Sequence, residues 1–171
     1  VGMVYSRPTS ADATVFAKAR DVIKWAHSLD QRRNGLEFYA EHPIRMANAL
    51  LAMQGFVVTD TMVIAALLHD VLEKTHYTEQ MLDDAGLNSI HATAMVRLLT
   101  HDDSVYTNEQ YADGIINSGD IDLMLVKLAD WNDNIVINPA FLWEGWENSL
   151  RRYSENAIAV TKAIHQVTSL I

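Results

Sequence analysis

The chain has 171 residues, of which 49% are hydrophobic, and this length allows one domain with a substantial core but not two. Cysteine is absent, so disulfide bonds and cysteine-based zinc sites are excluded. A net charge of −9, from 22 acidic and 13 basic side chains, argues against binding to a nucleic-acid polymer or an anionic lipid surface, although a small phosphorylated substrate remains compatible with it.

The sequence shows no pattern of a membrane span or a secretory signal. Its longest apolar run, Met62 to Leu68, is much shorter than the roughly 20 residues that a membrane-spanning helix needs. The first residues lack the basic and then apolar order of a signal peptide. We therefore expect a cytoplasmic protein without a membrane partner, and nothing in the sequence predicts its oligomeric state.

The beginning of the chain is predicted to contain a disordered or extended segment followed by a helix. Residues 1–10 have no periodic apolar pattern, so the folded domain is expected over residues 11–171. Apolar residues at helical spacing predict a first helix from Ser10 or Asp12 to about Leu29, and a basic loop follows it.

The second predicted helix starts at Pro43, a residue that suits the first helical turn. Because a proline disfavours helical backbone at the residue before it, His42 is expected outside the helix, at an exposed start. From there its imidazole can point at a site instead of into a core. The helix is predicted to end at Gly55.

The most apolar segment predicts a central helix that begins after Thr59 or Asp60 and runs past His69 to about Lys74. No stretch alternates with the period of two that is typical of a half-buried β-strand. The sequence therefore predicts an all-α fold. Capping and turn residues predict the remaining helices, over residues 78–86, 88–100, 107–116, 118–138 and 148–170.

The end of the central helix carries a polar cluster that indicates half of a metal centre. His69 and Glu73 are one helical turn apart, and Asp70 lies beside both. Leaving such groups unpartnered in a buried position would be costly. Imidazole and carboxylate together suit a hard or borderline divalent ion.

Two further residues support the prediction of a metal centre. A His-Asp pair alone carries little information, since the chain has a second copy at His101-Asp102. His42 and Asp130, however, are single polar residues at the edges of other apolar segments. The order His, then His-Asp, then Asp is what gives the pair its weight.

Four motifs surround these residues: QRRNG at 31–35, YAEHPIRMA at 39–47, AALLHDVLE at 65–73 and VKLADWNDN at 126–134. In this order they resemble the HD-domain metal-dependent phosphohydrolases, and within them the hydrolase domain of the RelA/SpoT family and its small single-domain relatives. The resemblance covers roughly residues 15–165. It implies a single HD-domain helical bundle and an enzyme that hydrolyses a nucleotide phosphoester or pyrophosphate, in first place by removing the 3′-pyrophosphate of (p)ppGpp.

The resemblance also implies a ligand set and a cofactor. His42, His69, Asp70 and Asp130 are expected to bind one divalent ion, and the family implies Mn²⁺. Fe²⁺, Co²⁺ or Zn²⁺ suit the same nitrogen and oxygen ligands. The alternative is that these are four unrelated surface residues.

Catalytic and substrate-binding roles are carried over in the same way. Glu73 matches a family Glu that orients the attacking water or exchanges a proton with the leaving group, and Asn134 matches an Asn that contacts water or phosphate. Arg33 matches an Arg that packs on the nucleobase and meets phosphate. Lys74 is placed beside the reacting phosphate, and the expected partner is a small-molecule nucleotide.

Several other side chains have two open interpretations. Cations elsewhere in the motifs and in the last helix are either phosphate contacts or surface charges, namely Arg45, Lys127, Arg151 and Arg152. The histidines outside the ligand set, His101 among them, are expected to be surface or helix-cap residues. Aromatic residues are expected in the core and not as a platform for a nucleotide, with Trp131 as the exception.

Two departures from the family pattern leave the substrate open. Lys74 stands where the family has an acidic residue, and Trp131 follows the last ligand where the family tends to have Arg. These differences favour a second hypothesis, an HD nucleotidase or dNTP triphosphohydrolase with the same metal site. A third is a catalytically silent nucleotide-binding domain that kept the ligands and lost turnover.

Overall fold

The computed structural model describes residues 10–28, 38–87, 90–137 and 145–170. These residues form nine α-helices and no β-strand, which confirms the predicted all-α fold. The expected segment over residues 1–10 lies outside the described residues except for Ser10, where the first helix begins. The helices are α1 (Ser10–Ala26), α2 (Glu41–Ala52), α3 (Asp60–Leu68), α4 (Val71–Lys74), α5 (Glu79–Asp84), α6 (Ile90–Leu99), α7 (Asn108–Ile116), α8 (Ile121–Ile137) and α9 (Trp146–Thr168).

Helix α3 lies at the centre of the fold. Every residue from Met62 to Leu68 is at most 4% exposed, because α3 packs against α1, α2, α6 and α8. A helix covered on all sides has no solvent face, which explains why this segment carries no polar stripe. Full burial of one such aliphatic side chain contributes about 1.5–3 kcal/mol, so α3 is a rigid support for the residues that follow it.

Side-chain caps fix the starts of three helices close to the positions that the sequence predicts. Thr59 Oγ1 accepts a hydrogen bond from the backbone N–H of Met62, and Thr78 caps α5 in the same way. Thr107 and Gln110 form the predicted capping box of α7, in which each side chain binds the other residue's backbone N–H. Such caps satisfy N–H groups that have no acceptor within the helix.

The central helix does not run unbroken to Lys74, so that part of the prediction is wrong. It ends at Leu68, His69 and Asp70 form a turn, and the short helix α4 follows. Asp70 keeps a nearly helical backbone, with φ −97° and ψ −5°, and its carbonyl still accepts from the Lys74 N–H at 2.9 Å. His69 and Asp70, the two residues of this turn, are buried, at 1% and 6% exposure.

The expectation that His42 lies at an exposed helix start is also wrong. Helix α2 begins one residue earlier, at Glu41, and His42 is only 1% exposed. Pro43 is the third residue of the helix, where a backbone N–H would have no intrahelical acceptor, so proline does not prevent the helix from starting before it. His42 therefore faces the interior, towards α8.

Helix α9 closes the domain over α8, the helix against which it packs most extensively. It is 23 residues long and buries Ala157, Val160 and Ile164, which share one face at helical spacing. The predicted start at residue 148 is two residues late, because Trp146 already belongs to the helix. None of the described helices combines the length and the apolar character needed to cross a membrane.

Candidate metal centre

Side chains from three parts of the fold meet at the C-terminal end of α3. His42 comes from α2, His69 from the turn after α3, and Asp130 from α8. The Asp130 Oδ1 atom lies 3.2 Å from His42 Nε2 and 3.8 Å from His69 Nε2. One ligand atom from each of the three residues lies within 4.8 Å of the others, and all three side chains are buried, so the group is suited to hold a metal ion.

The environment of His69 leaves one ring nitrogen available as a ligand. Its Nδ1 lies 2.9 Å from the carbonyl oxygen of Ala66. A carbonyl can only accept, so Nδ1 carries the proton and Nε2 of the neutral ring has a lone pair. Nε2 is buried and, within the part of the chain that the structure describes, has no hydrogen-bond partner. It lies 3.1 Å from Asp70 Oδ2.

The environment of His42 directs its second nitrogen to the same place. Its Nδ1 lies 2.7 Å from Asp133 Oδ2, so the ring donates from Nδ1 to this carboxylate. The lone pair of Nε2 in the neutral ring then faces Asp130 Oδ1 at 3.2 Å. Two acceptor atoms this close repel each other unless a proton or a metal ion lies between them, which fits a metal site.

Asp133 belongs to this group of side chains, although the sequence alone did not predict its contact with His42. It accepts hydrogen bonds from Arg45 Nε at 2.7 Å and Nη2 at 3.0 Å as well as from His42. Burial alone would raise its pKa, but the hydrogen bonds from His42 and Arg45 outweigh burial and lower it. A carboxylate behind a ligating histidine fixes the ring and its tautomer. Asp133 is three residues after Asp130, so both share one face of α8, and this spacing was the available signal.

Asp70 lies beside the group of three and has partners of its own. Its Oδ2 is 2.6 Å from Lys74 Nζ and also accepts a hydrogen bond from the Tyr39 hydroxyl. The Lys74 ammonium in turn donates to the Tyr39 oxygen at 2.6 Å. Burial opposes ionisation of Asp70, but its interactions with His69 and with the Lys74 ammonium outweigh burial and hold its pKa well below the usual value.

Asp130 is paired with a second lysine. Its Oδ2 lies 2.7 Å from Lys127 Nζ, and its Oδ1 accepts from the Asn134 amide at 2.7 Å. Although burial favours the neutral forms of both groups, their mutual attraction lowers the pKa of Asp130 well below its usual value and raises that of Lys127. The carboxylates of Asp70 and Asp130 likewise outweigh burial and raise the pKa of His69.

A cavity of about 130 Å³ opens beside these residues. Glu73 lies in its wall, where Oε2 accepts from the backbone N–H of His101 at 3.1 Å. The side chain of His101 is only 11% exposed and lines the cavity, so its assignment to the surface is wrong. The remaining lining residues include members of α4, α8 and α9, among them Lys74, Asn134, Trp131, Arg152 and Asn156.

The other predicted cations have different environments. Lys127 is buried, with its ammonium 5.0 Å from the centre of the Tyr111 ring and 5.8 Å from that of Trp131. Arg45 pairs with Asp133, Arg152 reaches the cavity, and Arg151 is exposed. Arg33 lies outside the described residues, so its predicted contact with a nucleobase and phosphate stays a prediction.

The comparisons with known proteins agree with the resemblance. No family model matches the chain. A probable GTP pyrophosphokinase from Mycobacterium leprae is 36% identical over 74 residues, which are 43% of this chain and only 9% of that protein. A solved structure, described as a metazoan orthologue of SpoT that hydrolyzes ppGpp, has a TM-score of 0.70 and 24% identity, covering 93% of this chain and 88% of its own. This likeness shows that the two chains share a fold.

Proposed function

We propose that His42, His69, Asp70 and Asp130 bind one divalent metal ion. The observation that carries this proposal is the buried Nε2 of His69, which has a lone pair directed at the cluster and no hydrogen-bond partner among the described residues. Two imidazole nitrogens and carboxylate oxygens suit Mn²⁺, the ion that the family resemblance implies, as well as Fe²⁺, Co²⁺ and Zn²⁺. Asp70 completes the set once Lys74 releases its Oδ2 atom.

We infer that the chain is an enzyme that hydrolyses a nucleotide phosphoester or pyrophosphate, with removal of the 3′-pyrophosphate of (p)ppGpp as the first candidate reaction. The resemblance of four motifs and the shared fold with a protein described as hydrolyzing ppGpp support this reaction. A divalent ion held by these residues would lower the pKa of water and so help to supply the nucleophile. The partner is then a small-molecule nucleotide.

The residues around the ion have separate tasks in this proposal. Glu73 moves a proton at its carboxylate, to or from water or the leaving group, and its hydrogen bond from the His101 N–H keeps the carboxylate in the cavity wall. Asn134 holds Asp130 Oδ1 through its amide at 2.7 Å and so orients a ligand. This is a different task from the contact with water or phosphate that the resemblance implies, although Asn134 also lines the cavity.

The positive charges of the cavity suit a phosphorylated substrate. Lys74 from α4 and Arg152 from α9 both line it, on different elements. A guanidinium and an ammonium bind phosphate oxygens by charge-assisted hydrogen bonds. Local cations of this kind allow an anionic substrate to bind despite the net charge of −9.

Lys74 and Trp131 favour a second candidate, an HD nucleotidase or dNTP triphosphohydrolase. The Lys74 ammonium is in contact with Asp70, and the buried Trp131 lines the cavity directly after Asp130. Both differ from the residues that the family implies at these positions. Different side chains next to two of the proposed ligands would let the pocket select another base or phosphate chain, while the metal stays the same.

The experiment that tests the proposal is a product analysis. Manganese-loaded protein is incubated with (p)ppGpp, the four dNTPs, NADPH and nucleoside monophosphates, and the products are separated by ion-exchange chromatography. Release of pyrophosphate from (p)ppGpp supports the first candidate, and release of triphosphate from dNTPs supports the second. An Asp70→Ala variant is the control for contaminating hydrolases. If the protein binds metal but releases no product from any of these compounds, the result would refute both reactions and favour a nucleotide-binding domain without turnover.

A further inference from the structure

Each of the two aspartates in the proposed ligand set has its own lysine. Lys74 Nζ lies 2.6 Å from Asp70 Oδ2, and Lys127 Nζ lies 2.7 Å from Asp130 Oδ2. With neutral imidazoles, the two carboxylates and two ammonium groups sum to a formal charge of zero. Because the two lysines already offset the two carboxylates, this set has no net negative charge to balance a bound divalent ion. The carboxylate of Glu73 at the cavity wall is outside this sum.

The two lysines differ in whether they obstruct the ion. Lys127 contacts Oδ2 of Asp130, whereas Oδ1 of the same carboxylate faces the two histidines, so Lys127 does not have to move. Its side chain is 10% exposed and packs near two aromatic rings, which hold it in place.

Lys74 contacts the oxygen of Asp70 that faces His69. This Oδ2 atom is 3.1 Å from His69 Nε2, the nitrogen that lacks a hydrogen-bond partner among the described residues. The ammonium therefore competes with an ion for the same oxygen, to which the Tyr39 hydroxyl also donates. The Lys74 side chain is 41% exposed and lines the cavity, so it has room to move away from Asp70.

We propose that Lys74 couples metal binding to phosphate binding: an ion displaces its ammonium from Asp70, and the displaced ammonium binds a phosphate oxygen in the cavity. The inference rests on the proposed metal site. Without phosphate, the ion has to replace the 2.6 Å contact between Lys74 and Asp70, and the ammonium keeps only the more distant Glu73 carboxylate, at 4.0 Å. With phosphate, the ammonium gains a new anionic partner. Each ligand therefore raises the affinity for the other, and the effect is reciprocal.

The test is the affinity for Mn²⁺ with and without inorganic phosphate, measured from free Mn²⁺ by electron paramagnetic resonance. Wild type, Lys74→Met and Lys74→Arg are compared, with Lys162→Met as the control because Lys162 is exposed on α9. Phosphate should tighten Mn²⁺ binding by about tenfold more in wild type than in Lys74→Met, a size usual for coupled sites. Without phosphate, Lys74→Met should bind Mn²⁺ more tightly than wild type. Lys74→Arg should keep the coupling, and Lys162→Met should match wild type.

Two results would overturn this inference in different ways. Equal phosphate effects in wild type and Lys74→Met would mean that phosphate acts through the ion alone, and the proposed metal site would stand without a role for Lys74. Absence of Mn²⁺ binding in wild type under both conditions would refute the metal site and this inference together. If Lys74→Met fails to fold, Lys74→Gln takes its place, and a phosphate effect in Lys74→Gln equal to that in wild type counts as the first of these results.

Discussion

His42 Nδ1 lies 2.7 Å from Asp133 Oδ2, and this contact joins α2 to α8 directly behind the candidate metal centre. The carboxylate fixes the tautomer of the ring, so that Nε2 faces Asp130. Arg45 holds Asp133 from the other side through two nitrogens. The geometry of the proposed ligand His42 thus depends on two charged groups, Asp133 and Arg45, whose contact with it the motifs do not reveal.

Replacing Asp133 by alanine should weaken metal binding. The ring of His42 would lose the acceptor that orients it, and loss of such a partner typically lowers metal affinity by about 10- to 100-fold. Asn132→Ala is the matched control, because Asn132 is the neighbouring residue on α8 and is exposed. Isothermal titration with Mn²⁺ measures both variants. An affinity of Asp133→Ala equal to that of Asn132→Ala would show that the contact does not matter for the ion.

Replacing Lys127 by methionine should destabilise the metal-free protein. The variant leaves the buried Asp130 carboxylate without its ammonium, and breaking a buried ion pair in this way costs about 3–5 kcal/mol. An ion bound at Asp130 would neutralise the carboxylate, so Mn²⁺ should restore more stability in Lys127→Met than in wild type. Urea unfolding in chelator and in excess Mn²⁺ measures the difference. Equal stability of the two metal-free proteins would contradict the importance of this pair.

Substitutions of the two acidic residues Asp70 and Glu73 should have different effects on metal binding and on turnover. Asp70→Ala is expected to lose both bound metal and hydrolysis, because Asp70 is assigned as a ligand. Glu73→Gln is expected to keep the metal and to lose turnover by about 10²- to 10⁴-fold, the usual contribution of a general acid or base. Elemental analysis and product release are measured on the same samples. Equal metal loss in both variants would make Glu73 a ligand instead.

Two neighbouring leucines of α2 offer a test of the fold. Leu50 is 0% exposed and Leu51 is 44% exposed. Leu50→Ala should lower the free energy of unfolding by about 2–5 kcal/mol, because it leaves a cavity in the core. Leu51→Ala should change it by no more than about 0.5 kcal/mol, as is usual for surface positions. Similar losses in both variants, measured by urea unfolding, would be inconsistent with the position of α2.

The sequence predicts the helices well where local chemistry decides them. Thr59, Thr78 and Thr107 cap helices at the predicted places, and the continuous apolar run from Met62 to Leu68 reveals α3. The sequence does not predict the start of α2 before Pro43 or the break in the central helix after Leu68. At both places tertiary packing overrides a local preference. The packing of α2 against α8 buries His42 although the residue after it is a proline.

The site was predictable only for residues that belong to a motif with an assigned role. Three of the four expected ligands, His42, His69 and Asp130, come to one region because α2 and α8 pack around α3, and Asp70 lies beside His69. The pairing of Asp133 with His42 and Arg45 depends on how α8 is rotated against α2, which periodicity does not determine. The same is true of His101, whose position in the cavity wall depends on the contact of its loop with Glu73.

The most direct test of the proposed function is to follow (p)ppGpp with wild-type protein in Mn²⁺ and after chelation, with Asp70→Ala as the control. We expect pyrophosphate and the corresponding 5′-phosphorylated guanosine in equal amounts, only with Mn²⁺ and only from wild type. Intact (p)ppGpp in the presence of fully metal-loaded wild-type protein would contradict the proposed pyrophosphohydrolase reaction.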